Sequence, residues 1–376
     1  VKKTIIRIIA AIGIAALIVT PLLAFGYERE GEGEAHLLQE GDYSLASSSS
    51  NNRLLATAAS AESTIYEGLL AVQDEIPLSQ YNISVDDIEL VYSNVINDHP
   101  DLFYVSSSLQ FYYNSLNNVS RLLPSYAMEK AEIEAAKEVF NKGVEKALSK
   151  VDSSMNNLQK ALTVHDYICS NACYPTLEDE NGNNLDEEIY HSAYGFFKNR
   201  TVVCAGYTLA YSYLLNSLGI PCEYVASDPM VHAWNKVYID GSWYNADLTF
   251  DDSDDSSDET TYGSVRHAYF LKSDAYFTSS ENIARHFGGR TFDSCTADST
   301  AFDNAFWNDV TSCIFTVNGD FYYIDPPSAS SAYVYLKKRT PAGNETNVCT
   351  GFRAATLSYT GGFYDENDEL QHYTYS

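Results

Sequence analysis

Apolar side chains follow a different rule in each part of the chain. From Ile8 to Phe25 almost every position is apolar, with no period at all. Residues 27–60 are mostly Glu, Gly, Ser and Ala, end in "LASSSSNNRLLATAAS", and read as a flexible spacer because they cannot build a core. A helical period begins near residue 61, where "AESTIYEGLLAVQDEI" brings Ile65, Leu69, Leu70 and Val72 close to one face. Ser84 then stands as a helix N-cap, the helix stops before Pro100, and "LFYVSSSLQFYYN" has the composition of a strand. Residues 61–125 thus form an N-terminal α+β module.

Two amphipathic helices are expected over about 126–150 and 155–172, followed by an acidic loop at 178–188. The next helix, from Cys204 to about Leu218, is apolar on nearly every side, which predicts a central position. After a "GIPC" turn, "CEYVAS", "HAWNKVYID" and "SWYNADLTF" alternate as strands, with Asp240-Gly241 as a hairpin turn between the last two. A second acidic loop covers 251–259, and "HAYFLKSDAYF" reads as a strand entering a polar segment. Residues 300–376 are short Tyr- and Phe-rich runs broken by Asn-Gly, Pro-Pro and Gly-Gly, the pattern of a small β-rich tail domain.

Charge gives the first apolar run its meaning. Lys2, Lys3 and Arg7 precede it and Ala24-Phe25-Gly26 closes it with a small-x-small site, the layout of a cleavable signal peptide at 1–26. The alternative is an uncleaved membrane anchor, since the run is long enough to reach across a bilayer. Cleavage would remove three of 23 cationic side chains and none of 51 acids, taking the net charge from −28 to −31. Such a charge excludes a nucleic-acid partner and fits a secreted or surface protein better than one resting on an anionic membrane. Seven cysteines in an exported chain allow disulfides but leave at least one thiol over. Cys204 is the candidate for that thiol, and the pairing of Cys169, Cys173, Cys222, Cys295, Cys313 and Cys349 stays open.

Cys204 opens a helix, where the unpaired N–H groups and the dipole favour negative charge on the sulfur. Gly206, within the first turn, allows close approach of another backbone or a ligand. A thiol nucleophile needs a base, and the base an orienting group. His232 begins one strand of the hairpin, and the Asp240-Gly241 turn brings Asp247, at the end of the other, back beside it.

Three blocks, "SAYGFF", "VVCAGYTLAYSYLLNSLGIPCEYV" and "HAWNKVYIDGSWYNADLTFDD", resemble the core of the transglutaminase-like superfamily, particularly its secreted bacterial members. "NDHPDLFYV", "HDYICSNACY" and "HAYFLKSD" resemble flanking elements of such proteins. The resemblance implies an α+β fold with a papain-like core at 126–290, in which a helix bearing the Cys packs on an antiparallel sheet bearing the His and Asp. It also implies a catalytic triad of Cys204, His232 and Asp247. Many relatives carry Gln after the Cys, whereas this chain has Ala205.

Trp234, Tyr207 and Ala205 are the candidate substrate-binding positions, although packing is the plainer role for Trp234 and for Trp243. His191 is read as a surface residue and His165 and Asp166 as structural. Cys169 and Cys173 have a spacing that can bind metal, but no partners at zinc-like spacing accompany them. The acidic loops lack the ordered ligands of a calcium loop, so no cofactor or metal is expected. The resemblance implies thioester chemistry on peptide or isopeptide amides, with a peptide or protein of the bacterial cell wall or surface as partner. The other reading is an inactive module of the same fold that binds peptides or wall components.

Overall fold

The computed structural model describes residues 26–27, 36–37, 51–177, 184–185, 187–252, 265–279, 285–289, 295–325, 333–349, 351–353, 360–364 and 370–374. The signal peptide and most of the two acidic loops lie outside them, as does most of the spacer. Among the described residues no helix is long and apolar enough to cross a membrane. The chain divides into two compact units, and the division falls at Val139/Phe140, inside a helix.

The first unit holds β1 (Gly26–Tyr27), β2 (His36–Leu37), α1 (Asn51–Leu70), β3 (Ile76–Pro77), α2 (Ile88–Asp98), β4 (Val105–Tyr113) and β5 (Val119–Tyr126), and the first half of α3 (Lys130–Leu148). Helix α1 reaches back to Asn51, so the last ten residues of the expected spacer are helical. Ser84 does not cap α2 directly; its Oγ accepts from the N–H of Asp87, and the helix starts at Ile88. The sheet runs β2-β1-β4-β5-β3, with β4 and β5 antiparallel and Phe111 opposite Leu122. Ile65, Leu69, Ile76, Val91, Val95, Leu109 and Leu122 form its core; of the helical face read from the sequence, Ile65 and Leu69 are buried there, Val72 packs against it and Leu70 is exposed.

The second unit holds α4 (Asn157–Cys169), α5 (Ala193–Asn199), α6 (Cys204–Ser217), β6 (Cys222–Ser227), β7 (His232–Ile239), β8 (Ser242–Ala246), α7 (Leu248–Asp251) and α8 (Asp274–Thr278). Asn156 and Gln159 cap α4 reciprocally, each side chain accepting from the other's backbone N–H. Helix α6 buries Cys204, residues 206–212, Leu214 and Leu215, as a helix without a polar face must, and it packs on β6 and β7 with α4 and α5 against it. The antiparallel sheet β6-β7-β8 sets Ser227 opposite His232 and Asn235 opposite Ala246. Asp240 and Gly241 take φ of 48° and 91°, the left-handed pair that a two-residue hairpin turn requires.

Two expectations fail here. Residues 267–272 form a turn joined to the sheet by a single bridge, Lys272 to Asn245, and not a strand. Leu271 is at φ 54°, which breaks an extended run, and both carboxylate oxygens of Asp251 take the Tyr269 N–H that a ladder would have used.

The segment after residue 300 is not a separate compact unit either. It contains β9 (Phe315–Val317), β10 (Asp320–Asp325), β11 (Tyr333–Arg339), β12 (Glu345–Asn347), β13 (Phe352–Arg353), β14 (Thr360–Tyr364) and β15 (Leu370–Thr374). The β-rich reading therefore holds, with a β12-β11-β10-β9 sheet, β13 on β11 and a β14-β15 hairpin. Its start, however, is built into the rest of the second unit. Ile314 N–H donates to Asp166 at 2.6 Å, and Gln159 Nε2 donates to the Gly319 carbonyl at 2.8 Å. Lys272 Nζ donates to Phe302 O, and Ser273 Oγ to Asp303. Trp307, Val310 and Ile314 are buried.

Candidate functional site

Cys204 is the first residue of α6 and is buried, behind an N-cap at Val203 in extended conformation. Its helix can lie this close to the preceding chain because of Gly206. A Cβ there would sit 2.6 Å from both the Tyr190 carbonyl and the Val202 side chain. His232 opens β7, and Asp247 follows the last residue of β8. The hairpin ladder ends at Asn235/Ala246, and beyond it the two side chains close on each other: His232 Nε2 donates to Asp247 Oδ2 at 2.6 Å. Cys204 shares a hydrogen bond with the same imidazole. With Nε2 committed to the carboxylate, Nδ1 is the nitrogen left for the thiol. The three residues expected to act together are therefore in contact.

Asp247 is wholly buried and has three donors. His232 and His286 both reach Oδ2, the latter at 2.7 Å, and the Phe250 N–H reaches Oδ1 at 3.2 Å, so that Asp247 is also the N-cap of α7. Burial works against its charge, yet His232 and His286 outweigh burial and hold the carboxyl well below the usual carboxylate range. Burial likewise opposes a proton on His232. The Asp247 charge and hydrogen bond, with Cys204 beside the ring, prevail and raise its pKa to about 10. The arrangement is one of a protonated imidazole between a carboxylate and a sulfur, which can deliver a proton to a leaving group.

The candidate substrate-binding positions separate. Ala205 is half-buried beside the thiol. Trp234 is buried, with Nε1 donating to Asn245 and its ring stacked on His232 at 6.1 Å and 26°. It backs the imidazole, which matches the packing role. Tyr207 faces the interior: its ring is buried and its hydroxyl donates to Asp252, so it presents no surface to a substrate. Trp243 packs on Tyr238 next to the hairpin turn, at the opposite end of the ladder from His232. His191 is half-buried.

His286 carries no signal in the sequence. It lies in a polar stretch without period, and only the fold brings it to Asp247. A second buried cluster surrounds His165. Its Nδ1 lies 2.9 Å from Asp166 and its Nε2 3.2 Å from Asp251, while His267 Nε2 lies 2.9 Å from Asp166 and Nδ1 2.9 Å from the Val310 carbonyl. His165, Asp166 and His267, like His232, Asp247 and His286, bring three possible metal-binding atoms within 4.8 Å of one another. In each triple both imidazoles hydrogen-bond to the one carboxylate, which brings the two rings together.

None of the seven cysteines is in a disulfide. Cys169 lies 3.8 Å from His165, but burial pushes its thiol up to about 12, and burial does the same to Cys313.

Residues 145–248 match the family model of the transglutaminase-like superfamily. Among solved structures, a TGase crystal structure is similar at 13% identity and a TM-score of 0.26, over 45% of this chain and 49% of that one. A protein from Cytophaga hutchinsonii described as a candidate cysteine protease is similar at 17% identity and a TM-score of 0.23, over 38% of this chain and 61% of that one. The chain thus spans about half the length of the first and less than two thirds of the second. No curated protein matches the chain. The matched segment, 145–248, carries the α6 helix, the β7–β8 hairpin and all three of Cys204, His232 and Asp247.

Proposed function

We propose that the chain is an exported thiol enzyme that breaks or transfers peptide or isopeptide amide bonds through a Cys204 thioester. The observation that carries the reading is the single His232 imidazole bonded at once to Asp247, at 2.6 Å, and to Cys204 at the start of α6. Cys204 Sγ attacks the amide carbon and forms the C–S bond. The oxyanion that develops is met by N–H groups of the first helical turn, which have no partner within a helix. His232 gives its proton to the departing amine as the C–N bond breaks, leaving a thioester. Water or an amine, deprotonated by His232, then displaces the sulfur and yields an acid or a new amide. Hydrolysis is favoured, since it needs no dedicated amine site. A peptide or protein of the bacterial wall or surface is the substrate the exported reading calls for.

The test is iodoacetamide modification of Cys204 against pH, followed by mass spectrometry of the Cys204 peptide so that the exposed Cys349 does not confuse the result. Fast modification well below pH 8 that is lost in His232→Ala, together with release of ammonia or amine from peptide amides, supports the reading. Ordinary thiol behaviour in the wild type removes the nucleophile and leaves a peptide-binding module of the same fold.

A further inference from the structure

We propose that His286 is a positioning residue of the Cys204 site, holding the Asp247 carboxylate in the orientation His232 needs. The proposal rests on reading that site as an acyl-transfer centre. A carboxylate that accepts from one ring and one backbone N–H can still pivot about its own bond to the chain. At Asp247 a second imidazole lands on the same oxygen as the first: Oδ2 accepts from His232 at 2.6 Å and from His286 at 2.7 Å, while Oδ1 accepts from Phe250. Two donors converging on Oδ2 from different elements fix where that oxygen lies.

His286 is itself held on every side. It is 1% exposed, and its ring lies 4.2 Å from Phe277, 4.9 Å from Trp234 and 5.3 Å from Phe250. Its backbone is pinned at successive residues. The His286 N–H donates to the Phe277 carbonyl at 2.8 Å, the Phe287 N–H donates to Met230 Sδ, and Ser227 Oγ donates to the Phe287 carbonyl at 2.6 Å. Gly289 lies so near Trp234 that a Cβ there would stand 2.5 Å from the indole. That indole also stacks on His232, so both imidazoles rest against one ring and donate to one oxygen. If the residue served only to fill the core, an apolar ring would replace it without consequence. If it positions Asp247, the N–H is the part that matters.

The experiment uses the full chain as wild type, His286→Phe, which keeps the ring, and His286→Gln, whose amide offers an N–H at similar reach. Two quantities are read: the rate of Cys204 alkylation at neutral pH and the far-downfield proton NMR signals of imidazole N–H groups bonded to carboxylate. Removing a hydrogen bond to a charged group should slow alkylation about 10- to 100-fold in His286→Phe. That variant should also lose the His286 signal and shift that of His232, and His286→Gln should restore both the rate and the His232 signal. Should His286→Phe not fold, His286→Asn, whose amide is one carbon too short, takes its place. A folded donor-less variant with wild-type alkylation and an unmoved His232 signal would overturn the proposal. A wild type whose Cys204 reacts as an ordinary thiol instead defeats the enzyme reading, and the His232 signal then decides the role of His286 by itself.

Discussion

Asp247 combines two roles that are usually separate, ending one element as the cap of α7 and orienting the base of another. Its charge and the His232 proton sustain each other, and that gives the site a defined response to pH. The folded chain binds the His232 proton more tightly than an ordinary histidine, about 10 against 6.5. The stability it contributes is therefore whole below 6.5 and lost as pH rises through about 10. The depressed Asp247 carboxyl contributes above the usual carboxylate range and loses its contribution as pH falls below that range. In the proposed mechanism the imidazolium protonates the leaving amine, so kcat/KM should fall on the alkaline side as pH passes about 10, and this limb should be absent from residual activity in His232→Ala. Measurement of amide hydrolysis from pH 6 to 11 checks it. That Asp247 returns beside His232 could be read from sequence because a strand period and a two-residue turn fix that relation locally, whereas the grouping of both with Cys204 was implied by the family resemblance. His286 could not, because no local rule ties a polar stretch to a carboxylate some forty residues earlier. Tyr207 was misjudged for a different reason: a helix that is apolar all round has no sequence signal separating the side chains near the thiol from those turned inward.

Helix α6 carries Cys204, and its seating depends on a missing side chain. Gly206 lets the first turn lie against the Tyr190 carbonyl and Val202. Gly206→Ala should cost roughly 1–3 kcal/mol, the usual penalty of overpacking, and should lower Cys204 alkylation by shifting the turn that bears the sulfur. A denaturant melt and an alkylation rate on the same sample separate the two effects. The hairpin behaved as its sequence said, because Asp240-Gly241 leaves little choice of register. The run at 267–272 did not. It has strand composition, but its hydrogen-bonding groups and charges are claimed by distant partners: Asp251 for the Tyr269 N–H, Asp166 for the His267 ring, and Phe302 and Asn308 for the Lys272 ammonium. Composition reports what a segment tolerates, and tertiary partners decided what it became.

At the level of the whole molecule, the feature least visible beforehand is that the chain after residue 300 supplies partners to the buried groups of the second unit. Short aromatic runs with turn residues between them suggest a self-sufficient appendage, and nothing local reveals that Ile314 will bond to Asp166 or Val310 to His267. Deletion from residue 300 onward should therefore leave an unfolded or aggregating product, with buried polar groups of α4 and the 267–273 turn stripped of their partners. Expression of the chain ending at residue 299, followed by circular dichroism and a thermal melt, checks this, and a cooperative melt close to that of the full chain would contradict it. The same connection has a consequence for the order of synthesis. Cys204, His232 and Asp247 are all made by residue 247, yet the Val310 and Ile314 groups that bond to His267 and Asp166 are made only later. A growing chain of this sequence therefore holds the proposed reactive groups before the buried polar cluster near them can find all its partners.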